Sequence, residues 1–334
     1  WLIVCTIYIA TKWAAIAAFN LPDADDTLRM VQVRDLLAGQ GFWDLHQYRI
    51  DPPRGMLMHW SRLADLPLAA VQLVLRPLLG AELAERTALV LVPLLTLGCA
   101  MLLAARLAWR LIDENLVYFA VLLLALATPL TAQLQPLRID HHGWQVVAVL
   151  AALNGLTART VWRTGWFSGA ALALGMTISL ELLPIAALFG AVLALRAVLD
   201  PAARQGPAGF LQGLAIVGVG AFLATHGLAD IANHCDSLSP AYLAGLTVAA
   251  LGAAALAALP PLPLAARVVG LGACAGLAGI TILALAPHCA GGPFAALDPL
   301  VHKFWYSNVH EGMPVWYQKP AVIAQMIAVP LAGL

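Results

Sequence analysis

Acidic, basic and imidazole side chains are scarce in this chain, and they come in clusters. The densest cluster is Leu21 to Asp65, which holds Asp23, Asp25, Asp26, Arg29, Arg34, Asp35, Asp44 and Arg49 directly after an apolar run. Three carboxylates within Asp23-Ala24-Asp25-Asp26 repel one another unless protons or a cation intervene. A hard divalent ion such as Mg²⁺ or Mn²⁺ takes oxygen ligands of this kind. The same residues also suit the cap of a helix running through TLRMVQVRDLL. A second group is Arg138-Ile139-Asp140-His141-His142-Gly143-Trp144. Its Asp and His suit a metal or an anion; its Trp suits an interfacial anchor. Glu181 stands alone in MTISLELLPIAAL, just before Pro184, where a buried carboxylate is costly unless paired.

Two further stretches carry polar chemistry. Leu297 to Pro320 combines His302, Lys303, His310 and Glu311 with Phe304, Trp305, Tyr306, Trp316 and Tyr317. Such aromatics serve an interfacial belt, and with basic groups they also suit sugars and phosphates. Met58-His59-Trp60-Ser61-Arg62 sets an Arg beside His, Ser and Trp, a combination for a phosphate or for anchoring at an interface.

The elements that must position these groups are membrane helices. The chain is 61% hydrophobic and 11% charged over 334 residues, against about 25% charged in a soluble domain. Its formal net charge is zero, so no basic footprint points to nucleic acid. Spans of about 20 apolar residues are predicted near 2–19, 85–106, 116–135, 143–161, 166–182, 184–200, 210–229, 240–259, 266–286 and 320–334. Segment 63–79 is apolar but carries Asp65, Arg76, Pro67 and Pro77. If it lies along the interface as an amphipathic helix, then Arg106/Arg110, Arg159/Arg163, Arg196/Arg204 and Arg267 all face one side. By the positive-inside rule that side is the cytoplasm. Asp23, Arg138, Asp140, Glu181, Asp236, His302, His310 and Glu311 then share the outer side. The fold class expected is an all-α polytopic membrane protein of about ten transmembrane helices, with an interfacial helix in the first external loop. It is read as one domain over 1–334, with external loops at 20–84 and 287–319, and the chain is expected to continue past Leu334.

Cys5, Cys99 and Cys274 lie in apolar runs and read as small core residues. Cys235 and Cys289 lie in outer loops, where a disulfide suits an oxidising compartment. No Cys-x-x-Cys spacing exists, which argues against a zinc ribbon.

Three motifs resemble the GT-C superfamily of membrane glycosyltransferases, and within it the catalytic subunit of oligosaccharyltransferase. Asp23 and Arg29 stand six residues apart in the first external loop, with Gly41-Phe42 after the following helix. Asp140-His141-His142-Gly143 is similar to the acidic motif of the second external loop, with His142 in place of the second acid. Asn308-Val309-His310-Glu311-Gly312-Met313-Pro314, followed by Trp316, is similar to the motif of the fifth external loop. The family's acceptor-reading motif belongs to a C-terminal domain beyond this chain, so transfer to protein Asn does not follow.

The resemblance implies an inverting, metal-assisted transfer of a sugar or oligosaccharide from a polyprenyl-phosphate or polyprenyl-pyrophosphate donor. The acceptor is a glycan, a lipid or a protein. Asp23, Asp140, His142 and Glu311 are the expected ligands of one Mn²⁺ or Mg²⁺. Asp23, Asp25 and Glu311 are the expected catalytic carboxylates. Arg138, His59, Arg62 and His141 are candidates for the donor phosphate, and Asp26, Arg29, Glu181, Lys303 and His310 are weaker candidates. A bacterial inner membrane with the site on the periplasmic face is the expected setting. The competing class is a transporter or flippase of lipid-linked saccharides, which should show paired broken helices or an internal repeat; neither is evident.

Overall fold

The computed structural model describes residues 1–227, 231–294, 297–309 and 315–332. It is helical almost throughout: α1 Leu2–Ala18, α2 Ala24–Leu37, α3 Asp65–Leu111, α4 Val117–Leu126, α5 Thr128–Thr131, α6 His142–Gly155, α7 Val161–Ile178, α8 Leu183–Leu199, α9 Gln205–Thr225, α10 Pro240–Ala258, α11 Leu264–Leu285, α12 Pro299–Phe304 and α13 Pro320–Ala332. The strands are β1 His46–Gln47 and β2 Met56–Leu57, a small antiparallel pair within the first loop. Among the described residues, five helical segments are long and apolar enough to cross a membrane: Arg62–Leu111, Leu180–Leu199, Pro201–Thr225, Pro240–Ala258 and Leu264–Leu285. Helices α1 and α4 are apolar but shorter. Each of the ten predicted spans contains helix, but in the one predicted over 116–135 the helix stops at Leu126, just before Pro129.

Helix α3 is broken at Gly80, whose φ of 78° and ψ of 169° suit a residue without Cβ. The break falls between the segment predicted as interfacial (63–79) and the span predicted at 85–106. Before the break, Leu73, Val74, Leu78 and Leu79 are exposed while Leu68, Ala69 and Gln72 are buried, so the outward face is the oily one. That arrangement suits lipid contact.

Short connections make α6 to α9 run alternately up and down. One end of this bundle therefore holds the start of α6, the end of α7, the start of α8 and the end of α9. The other end holds the turns at 156–160 and 200–204. Helices α7 and α9 pack so closely that a methyl group at Gly165 or Gly169 would strike the backbone of Gly206 or Phe210. One at Gly209 or Gly213 would strike the backbone of Trp162 or Trp166. Small residues at four-residue spacing on both partners are how helices approach in lipid, where apolar burial gives little drive. The core beside them contains Leu172, Met176, Leu182, Phe210 and Leu214.

The loop at 20–84 is held to the bundle in two ways. Helix α2 packs through Met30 and Val33 against Leu68, Leu89 and Val92 of α3 and against Leu137 and Ile139. Arg34 of α2 also forms a bidentate pair with Glu85 of α3, at 2.6 and 3.0 Å. Further on, Ser61 Oγ donates to Thr225 Oγ1 at 2.8 Å and Trp43 Nε1 to the carbonyl of Ala224 at 3.3 Å. The loop is thereby fixed to the end of α9. Cys5, Cys99 and Cys274 are free thiols; Cys5 and Cys274 are buried as expected, but Cys99 is exposed on α3 rather than in the core.

The chain divides into two compact units, Trp1–Pro287 and His288–Leu334. The second unit is small. Asp298 caps α12 by accepting from Leu300 N at 2.8 Å, and Phe294, Trp305 and Tyr306 form an aromatic cluster.

Candidate functional site

Helix α2 begins because Asp23 caps it: its backbone is extended and its carboxylate accepts from Asp26 N at 3.0 Å. Asp25 and Asp26 fill the first turn, where the helix dipole favours negative charge. The capping role of this tetrapeptide is thus realised. The three acids nevertheless part company. Asp23 faces outward and pairs with Arg138. Asp25 is half-buried. Asp26 is fully buried and reaches into the second loop, accepting from Ile139 N at 2.7 Å, Asp140 N at 3.0 Å and Arg138 Nη1 at 3.1 Å.

This junction organises the rest. Arg138 donates twice to Gln133 Oε1, at 3.1 and 2.6 Å, while its Nη1 serves Asp23 and Asp26. Asp140 is buried, and both its oxygens are engaged: Oδ1 by His141 Nδ1 and Oδ2 by His142 Nδ1, the latter at 2.7 Å. The two imidazoles lie against each other at 4.1 Å between centroids. His141 Nε2 is 3.3 Å from Glu181 Oε2, which also accepts from Gln145 Nε2 at 2.8 Å. Glu181, expected to pair with a His or Arg of the first two loops, pairs with His141.

The ionisation states follow from these contacts. Burial would raise Asp140, but hydrogen bonds from both imidazoles outweigh it and hold the carboxyl well below its usual range. Burial opposes charge on His141 too, yet Asp140 and Glu181 on either side raise its pKa. Asp23 is lowered: burial works against it, but the Asp26 N–H and Arg138 prevail. Asp26 goes the other way. Burial is the largest influence, the Asp23 and Asp140 charges add to it, and together they overcome Arg138 and the Ile139 N–H to push Asp26 up to about 7.

Beside Asp23 lies an open cleft of about 500 Å³. Leu21, Leu28, Val31 and Ile50 make it apolar; Asp23 and Arg49 give it a charged edge. Arg49 is held there by a pair with Asp35.

Asp140, His141 and His142 each offer one ligand atom, all within 4.8 Å of one another. One carboxylate and two imidazoles fit Mn²⁺ or another first-row ion better than Mg²⁺, which prefers oxygen. Asp23 does not belong to this group: its carboxylate pairs with Arg138. Glu311 and His310 lie outside the described residues. Lys303 is exposed on α12, with its ammonium 5.3 Å from the Phe304 ring centroid.

Two of the residues expected at the donor phosphate are placed differently. Arg62 is 1% exposed and donates to Asp65 and to the carbonyls of Phe42, Gln32 and Asp44. It is a structural residue, because burying a guanidinium is tolerable only when protein acceptors take up its donors. Arg29 is likewise buried, bound to Asp65 at 2.6 Å and stacked against Trp60. His59 joins another cluster, with Nε2 2.9 Å from Asp236 Oδ2 and its ring stacked on His234. Gln133, Gln145 and Asp65 were not singled out by spacing. The signal for Gln133 was a polar residue inside an otherwise apolar predicted span, and for Asp65 a carboxylate on a largely apolar helix.

Comparison with protein-family models, with curated proteins and with solved structures returns no match.

Proposed function

We propose that the chain is a membrane glycosyltransferase of the GT-C type, moving a sugar or oligosaccharide from a polyprenyl-phosphate or polyprenyl-pyrophosphate donor to an acceptor at the periplasmic face of a bacterial inner membrane. About ten spans carry the site in this reading. The observation that supports it best is the junction made by Asp26. It draws Asp23, Arg138, Asp140, His141 and His142 from loops over a hundred residues apart to one end of the bundle, beside an open amphipathic cleft.

The acceptor hydroxyl or amide lies against Asp23, whose carboxylate Arg138 holds in the ionised, hydrogen-bond-accepting form. Asp23 orients the acceptor and takes its proton as the nucleophile attacks the anomeric carbon. The bond from that carbon to the phosphate oxygen breaks, and the electron pair leaves with the phosphate. Inversion at the anomeric carbon follows from a single displacement. His141, held between Asp140 and Glu181, faces the charge that grows on the leaving phosphate. Asp140 and His142, with His141 beside them, would hold a divalent ion, which supplies Lewis-acid stabilisation of that same charge.

The test is transfer from a radiolabelled polyprenyl-linked sugar by the purified chain in lipid, with and without EDTA. Bond cleavage that is lost in Asp23→Ala supports the reading. Movement of intact donor across the bilayer without cleavage would replace it with a lipid-linked saccharide transporter.

A further inference from the structure

A second polar feature lies at the opposite end of the bundle from Glu181 and His141. The turn at 200–204 joins α8 to α9, and the turn at 259–263 joins α10 to α11. Between these turns runs a narrow groove of about 30 Å³, open along one side. Its walls include Ala197, Pro201, Ala253, Leu256, Pro260 and Leu271, and among the described residues its only charged lining groups are Arg204 and Arg267. No acidic residue among those described lines it. The nearest acid in sequence, Asp200, is exposed, and its carboxylate is turned to its own chain, accepting from Ala202 N at 2.9 Å.

The two guanidiniums are only partly satisfied by the protein. Arg204 donates to the carbonyls of Ala257 and Pro201, at 3.2 and 3.4 Å. Arg267 donates from Nη1 to the carbonyl of Ala197 at 3.1 Å, while its buried Nε has no hydrogen-bond partner among the described residues. Both Arg are half-buried. Two cations in an apolar groove without a counter-ion are costly, because neutral carbonyls do not cancel the charge. The starts of α9 and α11 add the positive ends of two long helix dipoles at the same place.

We propose that this groove binds the phosphate of an anionic phospholipid from the leaflet opposite the candidate active site. The phosphodiester accepts from Arg204 and Arg267 and supplies the missing negative charge. Acyl chains then run along the exposed apolar side chains of the bounding helices, among them Leu195, Leu199, Leu264 and Val268. Basic pockets between transmembrane helices on the positively charged side are where such headgroups are held. A lipid fits better than a soluble anion because the walls are apolar and exposed apolar side chains such as Leu199 and Leu264 adjoin them. The inference is independent of the proposed reaction.

The experiment is native mass spectrometry of the full chain with phosphatidylglycerol, phosphatidylcholine or inorganic phosphate. Wild type should retain one phosphatidylglycerol at a concentration at least tenfold below that needed for phosphatidylcholine. Arg204→Gln with Arg267→Gln should lose that preference, and Arg204→Lys with Arg267→Lys should keep most of it. Wild-type preference retained in the Gln double variant would overturn the proposal. Equal competition by phosphatidylcholine on wild type would do so even if that variant failed to fold. Displacement by millimolar inorganic phosphate would overturn the lipid assignment.

Discussion

Two charge clusters of opposite design involve the loop at 20–84. In one, Asp65 sits between Arg29 and Arg62, all three nearly fully buried, with Trp60 over the Arg29 guanidinium. Asp65 spans the gap between α2 and the start of α3, and Arg62 fills its remaining donors with carbonyls of the loop. In the other, Asp23, Asp26, Asp140 and Glu181 outnumber Arg138, two imidazoles make up part of the difference, and Asp23 and Glu181 remain open to solvent. The first cluster is closed and holds the loop in shape. The second carries excess negative charge at an open edge, which is the arrangement that accepts a cation or a proton from outside. Both use the same residue types, so composition does not distinguish them; closure does.

The sharpest way to break this contrast is Asp65→Ala. It leaves two buried guanidiniums without their shared carboxylate, and loss of one partner of a buried pair costs about 3–5 kcal/mol. We expect a large fall in melting temperature and in yield of folded protein. By contrast, Asp140→Asn should leave the protein folded and remove transfer by roughly 10²–10⁴-fold, the range for loss of a positioned acid–base or electrostatic group. If Asp140→Asn destabilised the protein as much as Asp65→Ala, the second cluster would be structural as well.

Arg34→Gln tests an intermediate case. Arg34 is half exposed in its pair with Glu85, so the cost should be about 1 kcal/mol, within the range for exposed pairs, read as a small shift in thermal unfolding.

A further test concerns pH. An acid raised in the folded state keeps its proton longer there than in the unfolded chain, so stability from Asp26 is greatest below its ordinary pKa of 3.8 and declines as pH rises to about 7. Asp140, lowered in the folded state, acts in the opposite sense and loses its contribution only as pH falls below the ordinary carboxylate range. Asp26→Asn removes the first slope and leaves the second. The difference in melting temperature between wild type and this variant should therefore change between about pH 4 and 7 and be flat above that.

Which of the three neighbouring acids mattered was not legible in the chain. The six-residue step to Arg29 singled out Asp23, yet Asp26 makes the junction, and Arg29 turns away to Asp65. Residues three apart at the start of a helix are neighbours, so Asp23 and Asp26 both reach Arg138, and only the position of the second loop gives Asp26 the N–H groups of Ile139 and Asp140 as well. The same holds for Arg62 and His59: their neighbours in sequence are alike, but one is sealed in the loop's interior and the other faces Asp236.

What the sequence by itself determined is local in origin. Long apolar runs make helices, Pro and Gly mark their ends, Asp23 caps α2, and the density of ionisable groups in an oily chain marks the loops at 23–26 and 138–142. Gly80 divides α3 between the predicted interfacial segment and the predicted span. What the tertiary structure decided is the pairing of charges across more than a hundred residues, since Coulomb attraction and hydrogen bonding depend on distances that only packing sets. The close approach of α7 to α9 belongs there too. Glycines four apart permit it on either helix, but the facing partner makes it a contact.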